Sequence, residues 1–268
     1  MSKWINSACD CLNILHWNAN GTAAKAGGLE HPTILHLHLS RLLLLTPLEH
    51  IQHVAALPDV RSSSGSFDRI KYKESCSHLR KWVIADQFKA RLALVHAGAV
   101  LYVNDFMEAF AVYAAALCLW VYSVSTVSTV RQQPRPSNEA PDSGERAPGA
   151  QDSMLTTGVE SDEEPELYFI YLDRPCDDEM VQTYVRLGNK ISANLLRVGN
   201  ICNAGAPRKI LQEGVRLLSG EGRQMSRLGQ SPVNRWGISN SFRATLESLI
   251  QAAPVEGASS GEKEGYGA

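Results

Sequence analysis

Cysteines and histidines could bind a metal, so their spacing is the first test for a chemical site. Cys9 and Cys11 are one residue apart, closer than a zinc pair's two to four, and no second pair follows. No third ligand stands at a diagnostic spacing from either of two close histidine pairs. These pairs are His36 with His38, and His50 with His53. We expect structural or solvated histidines and no metal site.

Catalytic motifs are missing from the sequence. It contains no G-x-S-x-G nucleophile turn, no H-E-x-x-H pair, no Walker loop and no dinucleotide-binding glycine pattern. We therefore expect no catalytic residue and no cofactor-binding residue, and we predict that the chain is not an enzyme.

Basic residues follow one face of a predicted helix. The formal net charge of −2 gives no general attraction to nucleic acid, and acidic residues interrupt the basic face. No series of aromatic residues accompanies it, so a solvated surface is favoured over a phosphate-binding one. The basic residues are Arg69, Lys71, Lys73, Arg80, Lys81, Lys89 and Arg91.

An acidic run, Glu160 to Glu164, allows three interpretations. It can be a solubilising linker, which we favour, or an acidic interaction segment flanked by apolar residues. It can also be a phosphorylation site at Ser161. The flanking apolar residues are Leu155, Leu167 and Phe169.

Compartment is indicated by the cysteines and the N-terminus. The six cysteines are too dispersed for a disulfide-stapled secreted domain. The first residues have no apolar stretch of signal-peptide type, because Asn6, Asp10 and Asn13 interrupt it. We expect a reducing compartment.

Helix signals dominate the first half. A leucine-rich helix is expected from Pro32 or Thr33 to Leu45, and a strand over Leu35–Leu39 is a weaker alternative. Thr46 and Glu49 have the spacing of a capping box that opens the next helix, which Pro58 ends. A long helical pattern then extends from Phe67 to Ala99. Its apolar positions are Phe67, Ile70, Leu79, Val83, Phe88, Leu92, Val95 and Ala99.

Phe110 to Val124 is an uncharged apolar segment. It has about 15 residues, fewer than the roughly 20 that cross a bilayer. Its circumference is apolar throughout, which is typical of a fully buried core helix. We expect a core helix, with a membrane anchor as the alternative.

The composition changes between Arg131 and Pro165, where proline, serine, glycine and charged residues replace apolar periodicity. Such a segment buries too little surface to offset its ordering entropy, which predicts a disordered linker. Beyond it, Pro175 and Asp177 open a helix, and further helices are expected at Ile191–Val198, at Pro207–Leu218 closed by Gly220, and after Trp236.

Together these signals predict an all-α fold, a multi-helix regulatory domain interrupted by a long disordered linker. The expected organisation places a poorly defined segment at 1–30 and the first helical part at 31–130. A disordered acidic and proline-rich linker follows at 131–166, the second helical part at 167–251, and a flexible tail at 252–268.

Four stretches taken together resemble the regulatory region of fungal transcription factors, the middle homology or fungal-specific transcription factor domain. They cover roughly residues 13 to 251, apart from the linker. The stretches are Leu42 to Pro47, His96 to Val100, Glu108 to Tyr113 continuing through Leu117 to Ser123, and Trp236 to Asn240. The resemblance implies an all-helical regulatory domain of a nuclear protein that controls transcription.

In that family a zinc-cluster or zinc-finger module binds DNA near the N-terminus, and zinc is expected only there. This sequence contains no such module, so we expect a fragment, a truncated gene model or a relative that has lost its DNA reader. The resemblance implies protein partners in the transcription machinery or a dimer partner. DNA would be contacted only through the module that this chain lacks.

Overall fold

The computed structural model describes residues 7–12, 14–15, 32–56, 66–102, 108–132, 168–174, 176–188, 191–220 and 237–252. These ranges are mostly helical, which confirms the all-α fold class. The helices are α1 (Pro32–Leu45), α2 (Leu48–Ala56), α3 (Ser66–Ala85), α4 (Gln87–Tyr102), α5 (Ala109–Gln132), α6 (Asp178–Leu187), α7 (Ala206–Ser219) and α8 (Gly237–Ala252). A small sheet contains β1 (Phe169–Tyr171), β2 (Ser192–Leu195) and β3 (Gly199–Asn200). Residues 7–12 and 14–15 are also helical.

Helix α1 begins where the sequence predicts, because Pro32 loses no hydrogen bond in a first helical turn. Ile34, Leu35, Leu39 and Leu42 are buried, whereas His36 is exposed. The weaker alternative of a strand over Leu35–Leu39 is therefore wrong.

The start of α2 differs from the predicted capping box. The Thr46 side chain does not bind an amide of α2, since its Oγ1 lies 3.7 Å from Cys118 Sγ. The carbonyl of Pro47 instead accepts the amide of Ile51 and closes the first turn. Burial against α5 decides the rotamer of Thr46, a contact that a local pattern does not contain.

The long pattern from Phe67 to Ala99 is two helices, because the chain bends at Asp86. Leu79 and Val83 are in the core as predicted, but Ile70, in the same helix, and Phe88, just after the break, are more than half exposed. In α4 the predicted Leu92, Val95 and Ala99 are half-buried. The most deeply buried residues are Ala90, Ala93, Leu94, Ala97 and Val100.

Helix α5 is the centre of the fold. Residues 111–119 are all buried, and α5 packs against α1, α2, α3, α4, α7 and α8. Ala109–Ser128 is long and apolar enough to cross a membrane, but two thirds of this stretch is buried inside the fold. The expected core helix at Phe110–Val124 therefore lies within α5, surrounded by other helices.

The sheet corrects one predicted helix. Residues 192–195, inside the predicted helix Ile191–Val198, form β2, which pairs in parallel with β1 and antiparallel with β3. Helix α6 connects β1 to β2, so this part is a β–α–β unit. Strands of three and four residues are too short for periodicity to separate them from a buried helical turn.

The remaining helices of the second part agree with the sequence. Asp177 caps α6 by accepting the Glu179 amide on its carboxylate at 3.1 Å. Gly220 ends α7 in the left-handed region, with φ of 78°. Leu246 and Leu249 form the buried stripe predicted for α8.

Several predictions concern residues outside the described ranges. Of the linker predicted for 131–166, Arg131 and Gln132 belong to α5, and the rest lies outside the described residues. The acidic run Glu160–Glu164 with Ser161, most of the N-terminal segment 1–30 and the tail after 252 lie outside them too.

Candidate functional site

The structure separates the histidines that are close in sequence. His36 Nδ1 lies 3.7 Å from a carboxylate oxygen of Glu108, whereas His38 Nδ1 lies 2.9 Å from His96 Nδ1 in α4. In this contact one imidazole nitrogen donates and the other accepts. The two neighbours therefore have different partners and do not bind one common ligand.

His50 and His53 join a third histidine between α2 and α3. The ring of His50 stacks on that of His78 with centroids 4.3 Å apart, and its Nδ1 lies 3.3 Å from Ser75 Oγ. Desolvation lowers the pKa of His50, and the nearby His78 lowers it further. Within the described ranges, no group of three or more histidine, cysteine or acidic residues has a metal-binding arrangement.

The six cysteines are free thiols. Cys118 is fully buried in α5, and desolvation raises its pKa to about 12. The nucleophilic form of cysteine is the thiolate, so Cys118 is inert at physiological pH. Cys11 is exposed and Cys9 half-buried, with no bond between them.

The basic face predicted along α3 and α4 is exposed as far as Lys81 and half-buried at Lys89. Its last member is different: Arg91 is only 6% exposed and lies among the apolar residues of α4. The prediction that Arg91 is part of a solvated face is therefore wrong.

Arg91 connects α4 to the end of α6. Its Nη2 donates to Gln87 Oε1 at 2.8 Å, and its Nη1 donates to the carbonyl of Val185 at 3.4 Å. The free carbonyls at a helix C-terminus carry partial negative charge, so a guanidinium there is favourable. Nε of Arg91 is buried without a hydrogen bond and faces Gly188, where a Cβ would lie 2.5 Å from it. A side chain at position 188 would therefore displace this guanidinium.

Two tyrosines complete the polar cluster around Arg91. The hydroxyl of Tyr122, on α5, is contacted by Arg91 and by Tyr184 of α6. Desolvation raises the pKa of both tyrosines, so both are neutral at physiological pH. No acidic side chain of the described residues pairs with Arg91, whose charge is balanced by carbonyl, amide and hydroxyl dipoles.

The chemistry of this cluster is structural. Cys202 is exposed as a whole residue, but its thiol is directed toward Thr126 and Arg91. Desolvation raises the pKa of this thiol. A raised pKa disfavours the thiolate, and no described imidazole or carboxylate adjoins the thiol as a base. The cluster therefore joins α4, α5 and α6 through polar contacts in an otherwise apolar core.

No protein-family profile, curated protein or solved structure matches this chain.

Arg91 was missed as a core residue because basic residues are assigned to surfaces by default. A signal was present in the sequence. Ala90, Ala93, Leu94 and Ala97 follow the three- and four-residue spacing of one buried face. Arg91 lies next to that face of the helix and not on the opposite side. Once a new helix is known to begin after Asp86, its spacing therefore indicates that Arg91 is buried.

Proposed function

We propose that this chain is the regulatory part of a fungal-type transcription factor and that it works in the nucleus through protein contacts. Its partners are components of the transcription machinery or a dimer partner. It neither reads DNA nor catalyses a reaction, and zinc belongs only to a DNA-binding module that this sequence does not contain.

The observation that supports this proposal is where the family-like stretches lie in the fold. The third stretch lies almost entirely in α5, and pieces of the other three pack on or next to this helix. The Leu42–Pro47 stretch reaches it through Thr46 and Cys118, and His96 to Val100 lies in α4, which packs along it. Helix α8, which contains the described part of the last stretch, stacks Phe242 on Tyr113 with ring centroids 4.4 Å apart. Motifs of a common domain are expected to share one core.

A reporter assay tests the regulatory role. The chain is fused to a heterologous DNA-binding module and transcription is measured from a promoter carrying that module's site. We expect transcription to change relative to the module alone, and we expect the Leu117→Asp variant, which disrupts α5, to abolish the change. Reporter output equal to that of the module alone, with a fusion folded and present in the nucleus, contradicts the proposal.

DNA binding by the isolated chain is a second check. We expect affinity for duplex DNA no tighter than the non-specific range, roughly 10⁻⁴ to 10⁻⁶ M at physiological salt, because basic residues are diluted by acidic ones. A sequence-specific complex that persists against competitor DNA contradicts this expectation.

A membrane-associated helical protein, anchored through Phe110–Val124, is the second candidate. It is favoured by the length and composition of Ala109–Ser128 alone. Extraction distinguishes the two proposals, since the regulatory domain needs no detergent. A parent protein that fractionates with membranes and resists alkaline extraction favours the second candidate.

A further inference from the structure

The outer edge of β1 pairs with no other described strand. β1 bonds β2 on one side, where the Tyr168 carbonyl accepts from Ser192 and the Leu172 amide donates to Asn194. Backbone groups of successive residues point to opposite edges, so those of Phe169 and Tyr171 face away from β2. Of these, the Tyr171 carbonyl accepts from Cys176 Sγ at 2.9 Å. The Phe169 amide and carbonyl and the Tyr171 amide have no partner among the described residues.

The side chains at this edge are aromatic and exposed. Phe169 is 52% and Tyr171 36% exposed, and their rings meet edge to face with centroids 5.5 Å apart. Between them, Ile170 turns to the other face and is buried. Proteins usually protect an edge strand with charged side chains, proline or a covering element. β1 is short, which is itself a common protection, and Cys176 bonds to its Tyr171 carbonyl. Neither Phe169 nor Tyr171 is charged, however, so the three outward backbone groups without a described partner remain available for strand addition.

A cavity of about 190 Å³ adjoins the edge. Its lining comes from β1, from the chain leading into α6 and from the first turn of α6. The lining residues are Phe169, Ile170, Tyr171, Arg174, Cys176, Asp177 and Met180. A binding edge gains specificity when such a pocket accepts alternate side chains of the added strand. The aromatic and thioether lining favours an apolar side chain there.

Acidic side chains give the surface its charge preference. Asp178 and Glu179 are exposed in the first turn of α6, next to the cavity residue Asp177. The basic residue Arg174 is positioned over the Tyr102 ring, with Cζ 5.5 Å from its centroid, and also donates to the Asp173 carbonyl at 2.7 Å. The side chains of Asp178 and Glu179 form no ion pair with any described residue, so a basic partner is complementary.

We propose that the free edge of β1 binds an extended, basic segment of a partner protein by strand addition, with an apolar side chain of that segment in the adjoining cavity. A second copy of this chain is a poorer occupant, because it would bring a second set of the same acidic residues to the interface. This inference deepens the proposed function and rests on it in one respect, namely that the partner is a transcription protein.

Fluorescence anisotropy tests this proposal with a labelled synthetic peptide of alternating valine and lysine, titrated with the full chain. One peptide is N-methylated at every valine and another at every lysine. Alternate amides point to one edge of a strand, so we expect one methylated peptide to bind at least about tenfold more weakly than the other. A peptide of alternating valine and glutamate is expected to bind at least about tenfold more weakly than the lysine peptide.

Protein variants locate the binding site. Phe169→Ser is expected to weaken binding of the lysine peptide at least fivefold. The matched control is Ile238→Ser on α8, also an exposed apolar residue, which is expected to leave binding unchanged. Replacing Asp178 with Asn and Glu179 with Gln should weaken it about threefold. The same neutralisation at Asp68 and Glu74, exposed on α3, should not.

Three outcomes overturn the proposal. The first is no binding of the lysine peptide. The second is equal affinity of both N-methylated peptides, which indicates attraction by charge alone. The third is self-association in sedimentation that Phe169→Ser removes, which means that a second copy occupies the edge. The titration does not depend on the reporter assay. If the peptide binds but the fusion protein does not change transcription, the proposed function is wrong while the strand-addition proposal stands.

Discussion

Helix α5 and the β1–α6–β2 unit bury their apolar residues in opposite ways. In α5, residues 111–119 are buried on every side, because six helices surround it. In β1, buried Ile170 stands between exposed Phe169 and Tyr171, because successive side chains of a strand point to opposite faces and only one face of β1 meets the core. An apolar side chain stabilises the fold only where other elements remove it from water. The same residue types therefore form a core in α5 and a surface in β1.

The largest expected effect tests this contrast directly. Leu117→Asp places an unpaired carboxylate at a position with no exposure, which should cost several kcal/mol, comparable with the stability of a whole domain. We expect this variant to be unfolded or insoluble by circular dichroism and sedimentation. Phe169→Asp, the matched change at the exposed edge, should cost less than about 1 kcal/mol. Similar losses in both variants would show that the two regions do not differ in burial.

Gly98 tests the contact between the β1–α6–β2 unit and α4, a helix that packs along α5. A Cβ at this position of α4 would overlap the backbone carbonyl of Leu172, which follows β1. Gly98→Ala should reduce the free energy of unfolding by about 1–3 kcal/mol, because neither backbone can give way easily. Urea unfolding measures the change. For comparison, nothing lies within 4 Å of a Cβ at Gly205, so Gly205→Ala should cost less than about 1 kcal/mol. An equal loss at both glycines would contradict the close approach.

Arg91 joins the regions through polar contacts. Arg91→Met removes its hydrogen bonds to Gln87 and Val185 but also removes a buried charge, so the net cost should be about 1 kcal/mol. The effect should be local: amides of α6 should exchange hydrogen faster, whereas those of α5 should not. Arg69→Met, on the exposed part of α3, serves as the control and should change neither. Uniformly faster exchange would mean that Arg91 stabilises the whole core and not this junction.

The smallest expected effect concerns pH. His50 has a lowered pKa in the folded protein, so protonation favours the unfolded chain. Its contribution is present above the pKa of the unfolded state, about 6.5, and is lost as pH falls through the folded pKa. We expect the urea midpoint of the parent protein to decrease as the pH is lowered from 7.5 to 5. The midpoint of the His50→Gln variant should decrease less. A decrease of the same size in this variant would assign the pH dependence to other groups.

Local signals in the sequence determined where several helices begin and end. Pro32, Asp177 and Gly220 each act within one turn, through a fixed φ, a side-chain cap or a left-handed backbone, so their roles need no distant contact. The uninterrupted apolar segment also indicated the central position of α5, because a helix that is apolar on every side must be surrounded.

The tertiary structure alone decided the features that depend on residues far apart in sequence. Thr46 has the spacing of a helix cap, but its hydroxyl meets Cys118, 72 residues away. Arg91 has the type of a surface residue, but the end of α6, 94 residues on at Val185, supplies its acceptor. Residues 192–195 became a strand because β1 offered them a parallel partner. In each case the local preferences are weak, amounting to about 1 kcal/mol or less, and the burial or pairing that outweighs them arises only when distant segments meet.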